Sequence, residues 1–276
     1  MKTKQTCPLC GFGLPTRHEF PAAMKADLGG GDRRFDWLEC RECRFIFRPT
    51  GDSPDAAAYY EEDYWKSSSK AVSDVVYLER KHIFKRREFT RIWNAGLKDW
   101  FPPDGGRVME AACFLGSWLQ ILKERGFKVW GIEPFLPAVE FARRMGISVW
   151  PGFYDAGSFA PASFGVIMAF HVLEHVTDPR AFAKAMRYHL KPGGTLILES
   201  PLYDPVDLGI ERLKICIGDN FFNRSEARGT HEHMAIYTRE TLDQLLLGSG
   251  FRVLEHVTDP VRTSKAHCAL VRAEAV

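Results

Sequence analysis

The sequence has no apolar run approaching the ~18 residues that a membrane helix needs. Its start, Met1 to Cys7, is polar and holds no apolar signal-peptide core. Neither a membrane span nor secretion is expected, and the cytosol is the expected compartment. Strong charge of one sign is also missing. The formal net charge is +2, which gives little steering toward nucleic acid or an anionic bilayer, so no nucleic-acid partner is expected. Residues 1–50 carry nine Lys/Arg against six Asp/Glu, an excess that four metal-bound thiolates would largely cancel. Cysteine is sparse and odd in number, seven in 276 residues. Four fall in two CxxC pairs, while Cys113, Cys216 and Cys268 stand apart in apolar or helical contexts. This argues for metal binding plus reduced thiols rather than a disulfide framework. The remaining composition, 45% hydrophobic and 26% charged, is that of an ordinary globular chain. It is long enough for one α/β domain of about 150–250 residues and a small module.

Three stretches differ in character. Residues 1–50 are rich in Cys, Gly and Arg. Residues 51–100 are aromatic and charged, and from about Val72 to Trp100 they contain no proline and one glycine, which suggests a helix. Phe101-Pro102-Pro103-Asp104-Gly105-Gly106 is the strongest boundary, because prolines and paired glycines stop helices. Residues 101–276 then alternate strand and helix. The strands are expected at Arg107–Ala111, Lys128–Glu133, Ile147–Trp150, Phe164–Phe170 and Thr195–Glu199, the last introduced by a Lys191-Pro192-Gly193-Gly194 turn. Leu115, Trp118, Leu119 and Leu122 mark an amphipathic helix. Pro137–Met145 is a second helix, and Asp178 with Pro179 opens a third. A helix over 238–249 and strands over 251–258 and 265–272, joined by a short connection, close the chain. The pattern predicts a parallel sheet covered on both faces. The octapeptide Val-Leu-Glu-His-Val-Thr-Asp-Pro occurs at both 172–179 and 253–260. Its surroundings do not match, so the two copies are expected to play different parts.

Cys7-Pro-Leu-Cys10 and Cys40-Arg-Glu-Cys43 are separated by 29 residues. Each CxxC turn converges two thiolates on one cation, and two turns complete the tetrahedral S4 set that zinc prefers. Cys7, Cys10, Cys40 and Cys43 are therefore expected to hold a structural zinc, with no open position for catalysis. A redox pair would require a thioredoxin-like βαβ setting, which is missing.

In Arg107–Leu119 a strand ends at the acidic Glu110, turns through Ala112, Phe114 and Gly116, and enters a helix. Small residues at such a turn let a cofactor approach the backbone. The next strand ends in Glu133-Pro134, where a carboxylate can accept both ribose hydroxyls of an adenosine. Together with the two CxxC pairs, Tyr59-Tyr60…Tyr64, Phe-His-Val-Leu-Glu-His-Val-Thr-Asp-Pro and Leu-Lys-Pro-Gly-Gly-Thr-Leu, this stretch resembles class I S-adenosylmethionine (SAM)-dependent methyltransferases with an N-terminal zinc ribbon. The resemblance implies a Rossmann-like α/β fold of seven strands, the last two a hairpin. It implies a zinc ribbon over 1–50, a helical linker or lid over 51–100, and a SAM-binding domain over 101–276. It also points to Phe153 and Asp155 beside the adenine and to Phe170 on the cofactor side. The family turn normally reads E-x-G-C-G-x-G. Here Ala112 and Phe114 stand at its first two glycine positions, and Gly165 replaces an acidic residue before the fourth strand.

His171-Val-Leu-Glu174-His175 also satisfies H-x-x-E-H, an inverted zinc-protease pattern. That pattern requires a helix, whereas Phe164–Phe170 reads as a strand. His171 and His175 are expected at the methyl-transfer pocket instead, at the strand edge where ligands bind in open α/β sheets. His231-Glu-His233 lies in the long connection over 201–237. His231 is favoured as the base for an acceptor that must lose a proton, since neutral imidazole suits that task. The implied activity is methylation of a small sugar, lipid-linked or natural-product acceptor. Oxygen is favoured because the extra C-terminal domain of ribbon-bearing sugar C-methyltransferases is lacking. The alternatives are a degenerate fold that serves as a binding or scaffold protein, and an RNA or protein methyltransferase that docks through the ribbon.

Overall fold

The computed structural model describes residues 6–13, 15–17, 37–49, 75–103, 105–202, 233–258 and 268–276. Three two-residue strands, β1 (Thr16–Arg17), β2 (Leu38–Glu39) and β3 (Ile46–Phe47), belong to the ribbon. Helix α1 (Val75–Asn94) stops short of the expected Trp100. Gly96 takes φ 128°, and Leu97–Trp100 winds separately as a 3-10 turn. There follow β4 (Arg107–Ala111), α2 (Ser117–Glu124), β5 (Lys128–Glu133), α3 (Leu136–Arg144), β6 (Ser148–Pro151) and β7 (Phe164–Phe170). After a 3-10 turn at Leu173–His175 come α4 (Pro179–His189), β8 (Leu190–Pro201), β9 (Ala235–Ile236), α5 (Arg239–Leu247), β10 (Phe251–Thr258) and β11 (Cys268–Ala275).

The large sheet has seven strands in the order β10-β11-β8-β7-β4-β5-β6. Five are parallel, and β11 runs antiparallel to both β8 and β10. From β4 the chain winds outward to β6, then returns to β7 on the other side. The switch point between β4 and β7 is where a doubly wound sheet opens a crevice at its carboxyl edge. Buried positions alternate between two core layers, as the period-two pleat requires. Met109, Ala111, Ile167, Ala169, Leu196 and Leu198 face α4, α5 and the ribbon. Val108, Val166, Met168 and Ile197 face α1, α2 and α3.

Local chemistry explains the helix ends. Asp178 accepts from Ala181 N at 2.9 Å, with Pro179 in the first helical position. Thr238 and Thr241 bond reciprocally at the start of α5. Arg143 and Arg144 close α3, where cations favour the C-terminal dipole.

Two expectations are corrected. Lys191–Gly194 does not precede the fifth strand but lies inside β8. Leu190 already pairs with Phe164, and Thr195 with Val166, so the four residues form a bulge between the two pairings. The last strand runs to Ala275, three residues past its expected end, and Phe251 pairs with Ala275 across the hairpin. Gly131 in β5 shows how tightly one layer closes. A Cβ there would sit 2.4 Å from Cys113 Sγ. Gly131→Ala is expected to lower stability by about 1–3 kcal/mol; an unchanged melting temperature in calorimetry would refute the contact.

Candidate functional site

The ribbon is completed by a distant segment. Its sheet runs β1-β2-β3-β9, and Ile46 and Phe47 pair with Ile236 and Ala235. The two CxxC turns are built alike. Gly11 N and Arg44 N donate to Cys7 O and Cys40 O, while Cys7 N and Cys40 N donate to Phe12 O and Phe45 O. Gly11 and Arg44 both take positive φ, 78° and 63°. Sulfur separations are 3.6 Å for Cys7–Cys43 and 3.5 Å for Cys10–Cys40. Tetrahedral Zn–S bonds of 2.3 Å would set neighbouring sulfurs ~3.8 Å apart, so the donors fit zinc. The hydrogen bond with Cys43 favours the Cys7 thiolate and holds its pKa down at about 5, against the cost of burial.

At the carboxyl edge of β4 the turn adopts the shape expected of a glycine sequence while keeping only one of its glycines. Ala112, Phe114 and Gly116 have φ of 52°, 47° and 63°. Left-handed backbone costs a side chain roughly 1–2 kcal/mol. Phe114 recovers part of this by packing against a cluster of Leu78, Leu115, Phe135, Ala138 and Phe141. Ala112 is exposed and gains no such packing. Ala112→Gly is therefore expected to stabilise the chain by up to ~1 kcal/mol, and denaturant unfolding would show the rise. Gly116 faces a second constraint, since a Cβ there would meet Ala142 Cβ at 3.2 Å.

Two buried carboxylates converge on this turn. Glu133 Oε2 accepts from Phe114 N at 2.8 Å and Oε1 from Phe135 N at 2.9 Å, spanning Pro134. Each oxygen keeps a second acceptor site. Burial pushes the Glu133 pKa up to about 7, against the pull of those two N–H groups. Glu110 is buried, and its Oε2 has no hydrogen-bond partner among the described residues. Burial drives its pKa well above the usual carboxylate range. A cationic group of a ligand would satisfy this orphaned oxygen. Gly152 N donates to Glu133 O, bringing the turn after β6 to the same edge. In that turn Phe153 is about half exposed, while Asp155 Oδ1 accepts from Gly157 N and Ser158 Oγ. Asp155 thus caps its own turn. Phe170 packs edge-on against Trp118, with centroids 4.1 Å apart. Helix α1 closes this side, with His82 Nδ1 2.9 Å from Ser117 Oγ.

The histidines after β7 form a network. His171, at φ 55°, places Nδ1 3.3 Å from Glu174 Oε1 and Nε2 3.3 Å from Glu199 Oε1. Burial disfavours its charge, but Glu199 and Glu174 outweigh it and raise the pKa to about 9. Both ring nitrogens face carboxylates, which favours the protonated form of His171 and suits it poorly to act as a base. Glu174 is desolvated too, yet the His171 contact holds it down at about 2. Its Oε2 accepts from Ser200 Oγ at 3.1 Å. His175 lies edge-on to His233, with centroids 4.8 Å apart. Burial, aided by His175, depresses the His233 pKa to about 3. His231 and Tyr59, Tyr60 and Tyr64 lie outside the described residues. Sequence reasoning missed Glu199, whose partnership with His171 depends on the β7–β8 pairing.

A doubly wound sheet ending in an antiparallel pair, with acidic residues closing its first two strands, defines the class I methyltransferase architecture. The chain matches the family described as "Methyltransferase domain" over residues 81–256 and belongs to it. Among curated relatives, the ubiquinone biosynthesis O-methyltransferase of Xanthomonas campestris is 29% identical over 136 residues, 47% of this chain and 55% of that protein. An uncharacterized protein of Mycobacterium bovis is 32% identical over 126 residues, 45% of this chain and 40% of that protein. The chain thus spans about half the length of the curated relatives it matches. Among solved structures, a possible histamine N-methyltransferase of Thermotoga maritima superposes with a TM-score of 0.51 at 19% identity, covering 75% of this chain and 98% of that one. The 1,6-didemethyltoxoflavin-N1-methyltransferase of Burkholderia thailandensis gives 0.52 at 15%, covering 86% and 98%. These likenesses establish the fold. Among the described residues no helix is long and apolar enough to cross a membrane.

Proposed function

We propose that the chain transfers a methyl group from SAM to an oxygen of a small sugar, lipid-linked or natural-product acceptor. The observation that carries this reading is the convergence of Glu110 and Glu133 on the left-handed turn 112–116 at the sheet's switch point. SAM would supply an electrophilic methyl on a sulfonium. Glu110, with its orphaned oxygen, suits the cofactor's ammonium, and the free acceptor sites of Glu133 suit ribose hydroxyls. Ala112, Gly116 and Pro134 shape the same edge, while Phe153 and Phe170 offer apolar surface for the adenine and the reacting end. Asp155, already engaged by its own turn, has one carboxylate oxygen left for the adenine amino group. Oxygen as the acceptor atom is supported by the Xanthomonas relative's name. A degenerate scaffold fold is the less favoured reading, because the turn keeps its left-handed shape at Ala112 and Phe114 and the Phe114 ring is accommodated.

Methyl transfer is an in-line displacement, so positioning matters most. We assign proton removal to His231, with His175 and His171 orienting the acceptor. Calorimetry should show SAM and S-adenosylhomocysteine binding in the micromolar range, the usual range for such sites; no heat at millimolar ligand would overturn the reading. His231→Ala should abolish turnover and spare cofactor affinity, whereas unchanged turnover would remove His231 from the mechanism.

A further inference from the structure

Beyond the thiolate cluster, one further group of donors converges among the described residues. We propose that Glu174, His175 and His233 form a second metal centre, a divalent-cation site of two imidazoles and one carboxylate. Their donor atoms all lie within 4.8 Å of one another. Around one ion with bonds of ~2.1 Å, neighbouring donors sit ~3 Å apart and opposed donors ~4.2 Å. Drawing the set in around one ion would take rotation of the two half-buried imidazoles.

The surrounding structure holds the three donors together across a long sequence separation. Met234 N donates to Glu174 O at 2.7 Å, and Arg48 N donates to Met234 O at 2.9 Å. Arg48 Nη1 reaches His233 O at 3.5 Å. These contacts set His233 opposite the 3-10 turn that carries Glu174 and His175. Ser200 Oγ and His171 fix the carboxylate, the kind of outer support that orients metal ligands. Two nitrogens and one oxygen select a first-row divalent ion such as Mn2+, Fe2+, Co2+ or Zn2+, whereas the S4 cluster selects zinc.

Three protein ligands leave coordination positions open, unlike the closed thiolate site. The site follows β7, which neighbours β4, so it shares the carboxyl edge with the cofactor turn. If the proposed methyl transfer holds, an acceptor offering a hydroxyl beside a second oxygen would chelate the ion there. A metal-bound hydroxyl loses its proton far more readily than a free one. This catalytic role rests on the proposed function; the metal site itself does not.

The test uses the full chain with its ribbon zinc loaded. Mn2+ titration followed by electron paramagnetic resonance should show one bound Mn2+ per chain. His175→Ala and His233→Ala should each weaken it at least about tenfold, with S-adenosylhomocysteine binding and circular dichroism retained as fold controls. Wild-type protein given Co2+ beyond the ribbon should show weak d–d bands without new thiolate charge transfer. No uptake of Mn2+, Co2+ or Zn2+ beyond the ribbon overturns the proposal. So does uptake undiminished in both variants, or extra Co2+ bound only through thiolate. Failure of wild-type S-adenosylhomocysteine binding would instead overturn the methyl-transfer reading and leave the Mn2+ result to stand alone.

Discussion

Removing metal from Cys7, Cys10, Cys40 and Cys43 is expected to lower the melting temperature by at least about 10 °C. Structural zinc in small modules carries apparent binding free energies of ~10–16 kcal/mol, and each kcal/mol lost shifts a chain of this size by roughly 2–4 °C. The ribbon's strands are two residues long and cannot persist without an external constraint. The damage should spread, because Cys7, Leu9, Cys40, Phe45 and Phe47 share one buried cluster with Leu173, Phe182 and Tyr237. Loss of the ribbon also removes the β3 partner of β9, next to His233. Cys40→Ser should reproduce the effect, and elemental analysis should find one zinc fewer per chain. Metal-free protein that melts at the wild-type temperature would refute a structural metal.

Glu133→Ala should weaken S-adenosylhomocysteine binding about 100-fold. The carboxylate holds Phe114 N and Phe135 N, and its loss leaves two N–H groups without a partner while removing the acceptors offered to ribose. Each orphaned group costs ~1–3 kcal/mol. The wild-type chain should also show pH dependence. Folding raises the pKa of Glu133 from 4.5 to about 7. This group's contribution to stability is therefore full below the unfolded value and is lost as pH rises through 7. Hydroxyl donors favour the ionised form, so the sign for binding is opposite: affinity should rise several-fold between pH 6 and 8. Calorimetry at both pH values checks this, with Glu133→Ala flat across the range. A flat wild-type profile would show that the Glu133 carboxylate is not the ribose acceptor.

Part of the candidate site's framework was legible because its signals are local. CxxC spacing constrains two thiolates whatever the fold, and the two turns adopt matching hydrogen bonds. Asp178 and Pro179 start α4 because a cap needs only its own helix. The acidic ends of β4 and β5 were placed by apolar runs of fixed period. What escaped depended on partners far along the chain. Ala112 and Phe114 read as obstacles to a glycine turn, yet the Phe114 side chain packs beside Leu78 of α1 and Phe135. Ala235 and Ile236 fall within the long connection over 201–237, and their pairing with β3 exists only once the ribbon has formed. The contact of His175 with His233 likewise requires that closure.

The repeated octapeptide separates the two contributions most cleanly. Residue by residue, both copies of Val-Leu-Glu-His-Val-Thr-Asp-Pro offer the same propensities and the same cap. In the first copy Leu173–His175 winds into a 3-10 turn, and Asp178 caps α4. There Leu173 O accepts from Tyr237 Oη and Glu174 from Ser200 Oγ. In the second copy Val253–Thr258 extends along β11, with Glu255 opposite Arg272 and His256 Nε2 2.7 Å from Asp243 Oδ1. The sequence alone determined the cysteine pairs, the caps and the apolar strands, since these depend on neighbours within a few residues. Tertiary structure decided whether a carboxylate and a histidine become part of a buried network or of an edge hairpin. The reason is that backbone donors and acceptors take whichever partners the assembled sheet presents.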